Sequence, residues 1–393
     1  MRGCRLVAPA HAGAGRKPSR SGASFGTDLA FELAAAGDRV PARRPWTSPV
    51  HDQLSALDPQ APRRSAFLGR SATSEAARLA AAPGATVVRL AGPWSSLLHA
   101  VTSLGTVVAV TRNAWAVQER RGLLIDSRAF GASGYVLGES FQLHCMLDHW
   151  HFAFAVRAGR QTSLEFFDED GTAVHKIFLD HASDIRAYEA LVDRHRHPDQ
   201  SPELPIRPRS PRVERTGAVD VAAHYAAWGS FEDGDAPAEA LRRFRAERLR
   251  ALRQAPPMLA CPVAVQALPR VLTWVAADAT PIGVSVASVG VIQTAGGPIR
   301  RAYATRHWLT VRDPGHAVRV RLDRIASAWV VRTPTRAGVV ASLEAFDRAG
   351  ELVVRLTGRL HPAESDSPRW RELLGRLEVA ARGARRRARD RCA

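Results

Sequence analysis

His144, His149 and His151 place potential metal donors in one short stretch of the 393-residue chain. Neutral imidazole nitrogen is a common ligand for zinc, copper and iron. On a strand, His149 and His151 would share a face, but a closed site needs a third protein ligand that the spacing does not supply. Four cysteines, Cys4, Cys145, Cys261 and Cys392, stand far apart with no CxxC spacing. They give neither a zinc knot nor a disulfide framework, and they fit a reducing compartment. Asp168-Glu169-Asp170-Gly171 lacks the spacing of a calcium loop and reads as a turn. Gly22 to Gly26 (GASFG) matches the GxSxG nucleophile pattern. That motif needs a strand before it and a helix after it, whereas here it lies in a Gly-, Ala-, Ser- and Arg-rich segment without periodicity. It is read as coincidence.

The elements that would position any site are marked by a repeat. Ser163 to Ile177 (SLEFFDEDGTAVHKI) and Ser342 to Leu356 (SLEAFDRAGELVVRL) align without a gap at an offset of 179, and the same offset pairs Trp150 with Trp329. A repeat of this period implies two copies of one structural unit. Each cassette reads as strand, Asp-x-x-Gly turn, strand, because Asp caps turns through its side chain and Gly accepts positive φ. The cassettes are therefore assigned to scaffold. Around the first, strands are expected at Thr86–Leu90, Thr106–Thr111, Ala114–Glu119, Gly134–Leu137, Phe141–Asp148 and His151–Val156. Helices are expected at His51–Leu57, Ser74–Ala82, Pro93–Leu104 and Ile185–Asp193. The strand order recurs after residue 280, and a closing helix is expected from about Pro368 to Arg382. The fold class is α+β, a tandem duplication of a mainly antiparallel sheet unit flanked by helices. The halves span residues 46–197 and 219–375, joined by a proline-rich linker, 198–218, with basic tails at 1–45 and 376–393.

The formal net charge is +17. Residues 1–45 carry eight basic and three acidic residues, and 376–393 carry seven and two, so ten of the charges sit in the tails. A basic tail adheres to phosphate without a function there, and nucleic acid gains little support as a partner. No apolar run is long enough to span a membrane, and Leu6–Ala14, broken by Pro9 and His11, does not read as a signal peptide. A cytoplasmic protein without membrane insertion is expected.

Several segments together resemble a known family. They are Gly105 to Asn113 (GTVVAVTRN), His149-Trp150, Ser163–Ile177, Ala326 to Thr335 (ASAWVVRTPT) and Ser342–Gly350. Over residues 46–375 the chain resembles the hemin-degrading factors, the HemS-type haem-trafficking proteins. The resemblance implies a protein that receives haem from a bacterial uptake transporter, holds it in a cleft of the second half and passes it to an acceptor. Some members also cleave the ring. It also implies site positions. The family's Trp-x-x-Leu-x-Asp-x-His pattern aligns with Trp228 to Asp235 (WGSFEDGD), so Asp235 stands where the axial histidine is expected. Carboxylate suits harder ions than haem iron. Arg248 matches a family arginine expected at a haem propionate or at the haem edge. His144 stands at a family arginine and is read as the candidate surrogate axial ligand. Gln118 stands at a second ligand position of the first half, and Gln293 ends the matched Gly290–Gln293 loop. The aromatic and arginine of the family's last pocket strand correspond to Thr357 and Leu360. The expected function is haem trafficking or degradation. The alternatives are a HemS-like scaffold that has lost haem and, with less support, an Arg-tail nucleic-acid binder.

Overall fold

Apolar alternation and the Asp-x-x-Gly turns fold each cassette into a hairpin in the structure, a computed structural model that describes residues 74–82, 85–208, 217–233, 247–359 and 364–392. The turns match atom for atom. Gly171 N donates to Asp168 O at 3.0 Å and Gly350 N to Asp347 O at 3.1 Å. Thr172 N and Glu351 N each reach the preceding Asp Oδ1 at 2.9 Å. Both glycines have the positive φ, 74° and 79°, that such a turn demands.

The first half runs α1 (Glu75–Ala80), β1 (Ala85–Leu90), α2 (Trp94–Ala100), β2 (Gly105–Arg112), β3 (Ala116–Phe130), β4 (Ser133–Gly138), β5 (Phe141–Met146), β6 (Phe152–Ala158), β7 (Gln161–Phe167), β8 (Ala173–Ser183) and α3 (Ile185–His195). The second runs α4 (Val221–Glu232), a helical stretch at 247–254, β9 (Ala260–Val263), α5 (Ala267–Ala277), β10 (Pro281–Ala287), β11 (Val291–Pro298), β12 (Ala302–Ala304), β13 (Trp308–Asp313), β14 (His316–Arg321), β15 (Ser327–Thr335), β16 (Gly338–Phe346), β17 (Leu352–Thr357) and α6 (Pro368–Cys392).

All the pairings are antiparallel, and the halves exchange strands. One run is β1-β6-β7-β8-β2-β3-β14-β13-β12. The other is β9-β15-β16-β17-β10-β11-β5-β4-β3. Each half thus lends a three-strand meander to the other's sheet, and the two runs interchange when the halves are swapped. β3 serves both, pairing with β2 and β14 before Leu124 and with β4 from Leu124 on. The exchange gives β3 and β11 a hydrogen-bonded neighbour where each would otherwise expose an edge.

Two glutamines cross this junction in matching fashion. Gln118 Nε2 donates to Val284 O at 3.0 Å, and Gln293 Nε2 donates to Ala109 O at 3.3 Å. Both side chains are fully buried. A buried amide bonded to a backbone carbonyl contributes about 1 kcal/mol and fixes register.

The cores follow the duplication. Leu97, Leu98, Val101, Leu104, Tyr188 and Leu191 of the first half cover the apolar face of β2 and β4–β8. In the second half, Leu268, Leu272, Trp370, Leu373 and Leu377 cover β10 and β13–β17. Ser74 caps α1 as expected, accepting from Ala77 N at 3.2 Å. The linker residues 201–208 are irregular, yet Leu204 and Ile206 pack against the Phe152–Phe154 cluster. Two elements run well past the sequence reading. β3 runs eleven residues beyond Glu119, since its polar Arg120, Arg121 and Asp126 are sheltered by flanking strands rather than by apolar alternation. The closing helix continues to Cys392 because Ala and Arg are good helix formers even where the charge is dense. No helix among the described residues is long and apolar enough to cross a membrane. His51–Leu57, Gly22–Gly26, Asp235 and Leu360 lie outside the described residues.

Candidate functional site

Repeat-related positions build a charge cluster in each half. Ser163 Oγ donates to Glu165 Oε1 at 3.0 Å, and Ser342 Oγ donates to Glu344 Oε1 at 3.0 Å. The next hairpin strand supplies Lys176 and, at the same offset of 179, Arg355. A helix closes each cluster from above. Ala76 of α1 bonds Gly171 O at 3.0 Å, and Leu249 of the 247–254 helix sits over Gly350. The preceding residues, Glu75 and Arg248, are therefore counterparts of opposite charge.

That inversion separates the two clusters. In the first half, Lys176 lies between Glu75 at 2.9 Å and Glu165 at 2.7 Å, with Arg112 on Glu75. Two cations meet two carboxylates. Burial opposes ionisation of Glu75, but Lys176 and Arg112 outweigh it and hold its carboxyl at about 2. In the second half, Arg248 grips Glu344 with two bonds, Nε to Oε2 at 2.9 Å and Nη2 to Oε1 at 2.6 Å. Arg355 Nε stands 3.5 Å from Glu344 Oε1, and its Nη2 is paired with Glu232 Oε1. Arg359 Nη2 takes the other oxygen of Glu232 at 2.9 Å. Three guanidiniums meet two carboxylates, all buried. Burial would raise the Glu344 carboxyl, yet Arg248 and Arg355 keep it below the usual glutamate value. Asp366 lies near Arg355 and Arg359, and burial first of all pushes its carboxyl up.

α4 lays an aromatic face on this cluster. Asp220 caps it, accepting from Ala223 N at 3.0 Å, and His224, Trp228 and Phe231 recur at helical spacing on its buried side. Gly229 permits the approach to β15, since a Cβ there would stand 2.6 Å from Pro334 O. Trp228 stacks on Phe231, centroids 4.4 Å apart. Arg248 and Arg355 lie over the Trp228 ring at 4.7 and 5.2 Å, favourable cation–π geometry. A small, largely enclosed cleft lies here, lined by Trp228, Phe231, Arg248, Ile292, Leu352 and Arg355, with Ser285, Ala287 and Glu351 beside them. Its walls combine flat apolar surface with two cations.

His144 lies beneath Phe231. β5 alternates as expected, with Phe141, Leu143 and Cys145 in the first core and His144 and Met146 on the opposite face. The imidazole is 7% exposed. It meets Tyr135 edge-on at 4.9 Å and Phe231 at 4.8 Å, and neither ring nitrogen has a hydrogen-bond partner. Burial lowers its pKa to about 4, so the ring is neutral at pH 7. His175 and His316 are also lowered by burial, each to about 3, with Arg120 adding to the effect at His316. The consequence has a definite sign. Below pH 6.5 the unfolded chain protonates these rings while the folded chain does not, so stability falls as pH falls. The loss continues to about pH 4 for His144 and about pH 3 for the others. Each ring contributes on the order of 1.4 kcal/mol per pH unit. Urea unfolding at pH 7 and pH 5 measures it. His144→Phe should flatten the dependence by one ring's share, and an unchanged slope would contradict a buried neutral imidazole.

Of the residues singled out in the sequence, His144 and Arg248 meet at this site, linked through Phe231 and Trp228. Gln118 and Gln293 do not line the cleft; their amides hold the junction between halves. Thr357 Oγ1 donates to Arg359 O at 3.2 Å. Among the described residues no group of three or more His, Cys, Asp or Glu is placed to hold a metal ion, so His144, His149 and His151 do not converge. Sequence reasoning missed Glu232, Glu344, Arg355 and Arg359. The signal for two of them was present, since Glu344 and Arg355 are cassette positions whose counterparts Glu165 and Lys176 are also charged. The second cassette is thus part of the site as well as scaffold.

Comparisons with known proteins agree with this architecture. The family model described as the haemin-degrading HemS.ChuX domain matches residues 72–195 and 245–377. The haemin transport protein HemS of Yersinia enterocolitica is 30% identical over 295 residues, covering 74% of this chain and 85% of HemS. The crystal structure of apo-PhuS, a heme-binding protein from Pseudomonas aeruginosa, superposes with a TM-score of 0.70 at 34% identity, over 82% of this chain and 95% of PhuS. ChuS, an E. coli heme oxygenase, gives 0.65 at 26% identity, over 77% and 90%. With both halves matched and the duplicated α+β architecture in common, this chain belongs to the haemin-degrading HemS/ChuX family.

Proposed function

We propose that this chain binds haem in the cleft beneath α4 and transfers it within bacterial haem uptake, between a transporter and an acceptor protein in the cytoplasm. One observation carries the reading: aromatic walls and two cationic side chains line one cleft, and a buried imidazole without partners packs behind its Phe231 wall. Haem presents a flat apolar ring, two carboxylates and an iron that accepts neutral imidazole. The residues present fit those needs. Trp228 and Phe231 would cover the ring and exclude water. Arg248 and Arg355 would hold the carboxylates through charge-assisted bonds. His144, kept neutral by burial, is the ligand we assign to the iron, and Phe231 must yield for it to be reached. Asp235 remains the resemblance's axial position, but a carboxylate is a poorer match to haem iron than imidazole. Bound haem would supply an iron centre capable of oxygen chemistry, as the relative named a heme oxygenase suggests.

The charge inversion supports the second half as the binding half, since Arg248 stands where the first half has Glu75. A second reading, a HemS-like scaffold without ligand, draws on a different fact: both cleft arginines are already paired with glutamates. Titrating purified protein with haemin decides between them. A saturable Soret shift ending at equimolar haemin is expected, and its absence would leave the scaffold reading.

A further inference from the structure

The two glutamates that pair with the cleft arginines are held very differently. Glu344 is fully buried on β16, with both oxygens taken by Arg248 and a further bond from Ser342. It belongs to the wall of the site. Glu232 is the last residue of α4. Its side chain reaches back to Arg355, which lines the cleft, and to Arg359 behind it. Arg359 also holds the Glu232 backbone carbonyl at 2.5 Å, and the adjoining Asp233 accepts from Arg336 N at 3.2 Å. Arg355 and Arg359 thus form a cationic fork occupied by one carboxylate from a helix end.

We propose that Glu232 is a resident stand-in for a ligand carboxylate, and that it sets the specificity of the cleft by admitting only ligands whose own carboxylate can replace it on Arg355. The physical argument is one of substitution. Two buried guanidiniums share this carboxylate, and Glu344, 3.5 Å from Arg355 and already gripped by Arg248, replaces it only in part. A buried cation short of its anion is disfavoured, so Glu232 is released from Arg355 when another anion arrives. The displaced side chain belongs to the last residue of α4, whereas Glu344 is held within β16. A flat apolar ring without free carboxylates meets the same aromatic walls but cannot take over the fork. The cleft therefore selects dianionic tetrapyrroles against their esters, with Glu232 as the competitor. It acts through Arg355 and is a positioning residue.

This inference rests on the haem reading above, and the experiment separates the two. Haemin and haemin dimethyl ester are titrated into the native chain and into Glu232→Gln. The native chain should bind haemin at least tenfold more tightly than the ester. Glu232→Gln should bind haemin about tenfold more tightly than the native chain does, with ester affinity unchanged. Equal effects on both ligands, or none on haemin, would overturn the inference and leave the haem reading standing. No binding of either ligand to the native chain would overturn both. A second measurement needs no variant: hydrogen exchange in the last turn of α4 should be faster with haemin bound than with the ester bound. Identical exchange in the two complexes would count against displacement of Glu232.

Discussion

Arg248→Leu is expected to lower the unfolding free energy by about 3–5 kcal/mol, because it strands Glu344 as a buried carboxylate. Glu344 is fully buried and takes two of its bonds from Arg248 at 2.6 and 2.9 Å. Arg355, 3.5 Å away, already serves Glu232 and compensates only in part. The cation–π contact of Arg248 with Trp228 is lost as well. Removing both charges, as in Arg248→Leu with Glu344→Gln, should recover most of the loss, since a neutral amide is far cheaper to bury. Urea denaturation of the two variants tests this. If the double variant were no more stable than the single one, the loss would have to be assigned to packing on Trp228. Haemin affinity should fall in both variants, since each lacks one of the two cleft cations, whatever their stability.

His144→Phe is expected to separate stability from ligation. The ring lies among Tyr135, Phe231 and Met146 with both nitrogens unpaired. A phenyl group of similar shape removes that desolvation penalty, and the ligand-free protein should be as stable or gain about 1 kcal/mol. Haemin binding should move the other way. Loss of the proposed iron ligand should weaken affinity at least about tenfold, roughly 1.4 kcal/mol, and abolish any imidazole-type low-spin spectrum. An unchanged spectrum in a folded variant would remove His144 from the iron and direct attention to the other end of the cleft. The two outcomes do not depend on each other, so a fall in both would show that the imidazole also has a structural role.

Much of the local structure was legible because it depends on short-range chemistry. The cassette turns follow from Asp168-x-x-Gly171 and Asp347-x-x-Gly350, and Ser74 caps α1 through its own hydroxyl. The alternation in β5 correctly sent Phe141, Leu143 and Cys145 one way and His144 the other. The extent of β3 was not legible. Arg120, Arg121 and Asp126 spoil its pattern, and it is a strand because β14 and β4 supply its hydrogen-bond partners. The exchange of meanders was hidden for the same reason, since partner choice between equivalent strands depends on contacts far apart in the chain.

The site divides along the same line. By itself the sequence determined that the chain is duplicated and that its hairpins are equivalent, and its resemblance to the family implied Arg248 and His144 as site residues. It also carries the charge pattern that the two cassettes share: Glu165 with Lys176, and Glu344 with Arg355. Only the tertiary structure decided which of these charges face a cleft. Glu75 and Arg248 sit on helices whose placement over the hairpins is not written in any local pattern, yet they give the two halves opposite character. Glu232 joins Arg355 and Arg359 across more than a hundred residues of chain. Turn and strand preferences act within a few residues and can be read directly, whereas ion pairing and burial depend on distance in space, which folding alone sets.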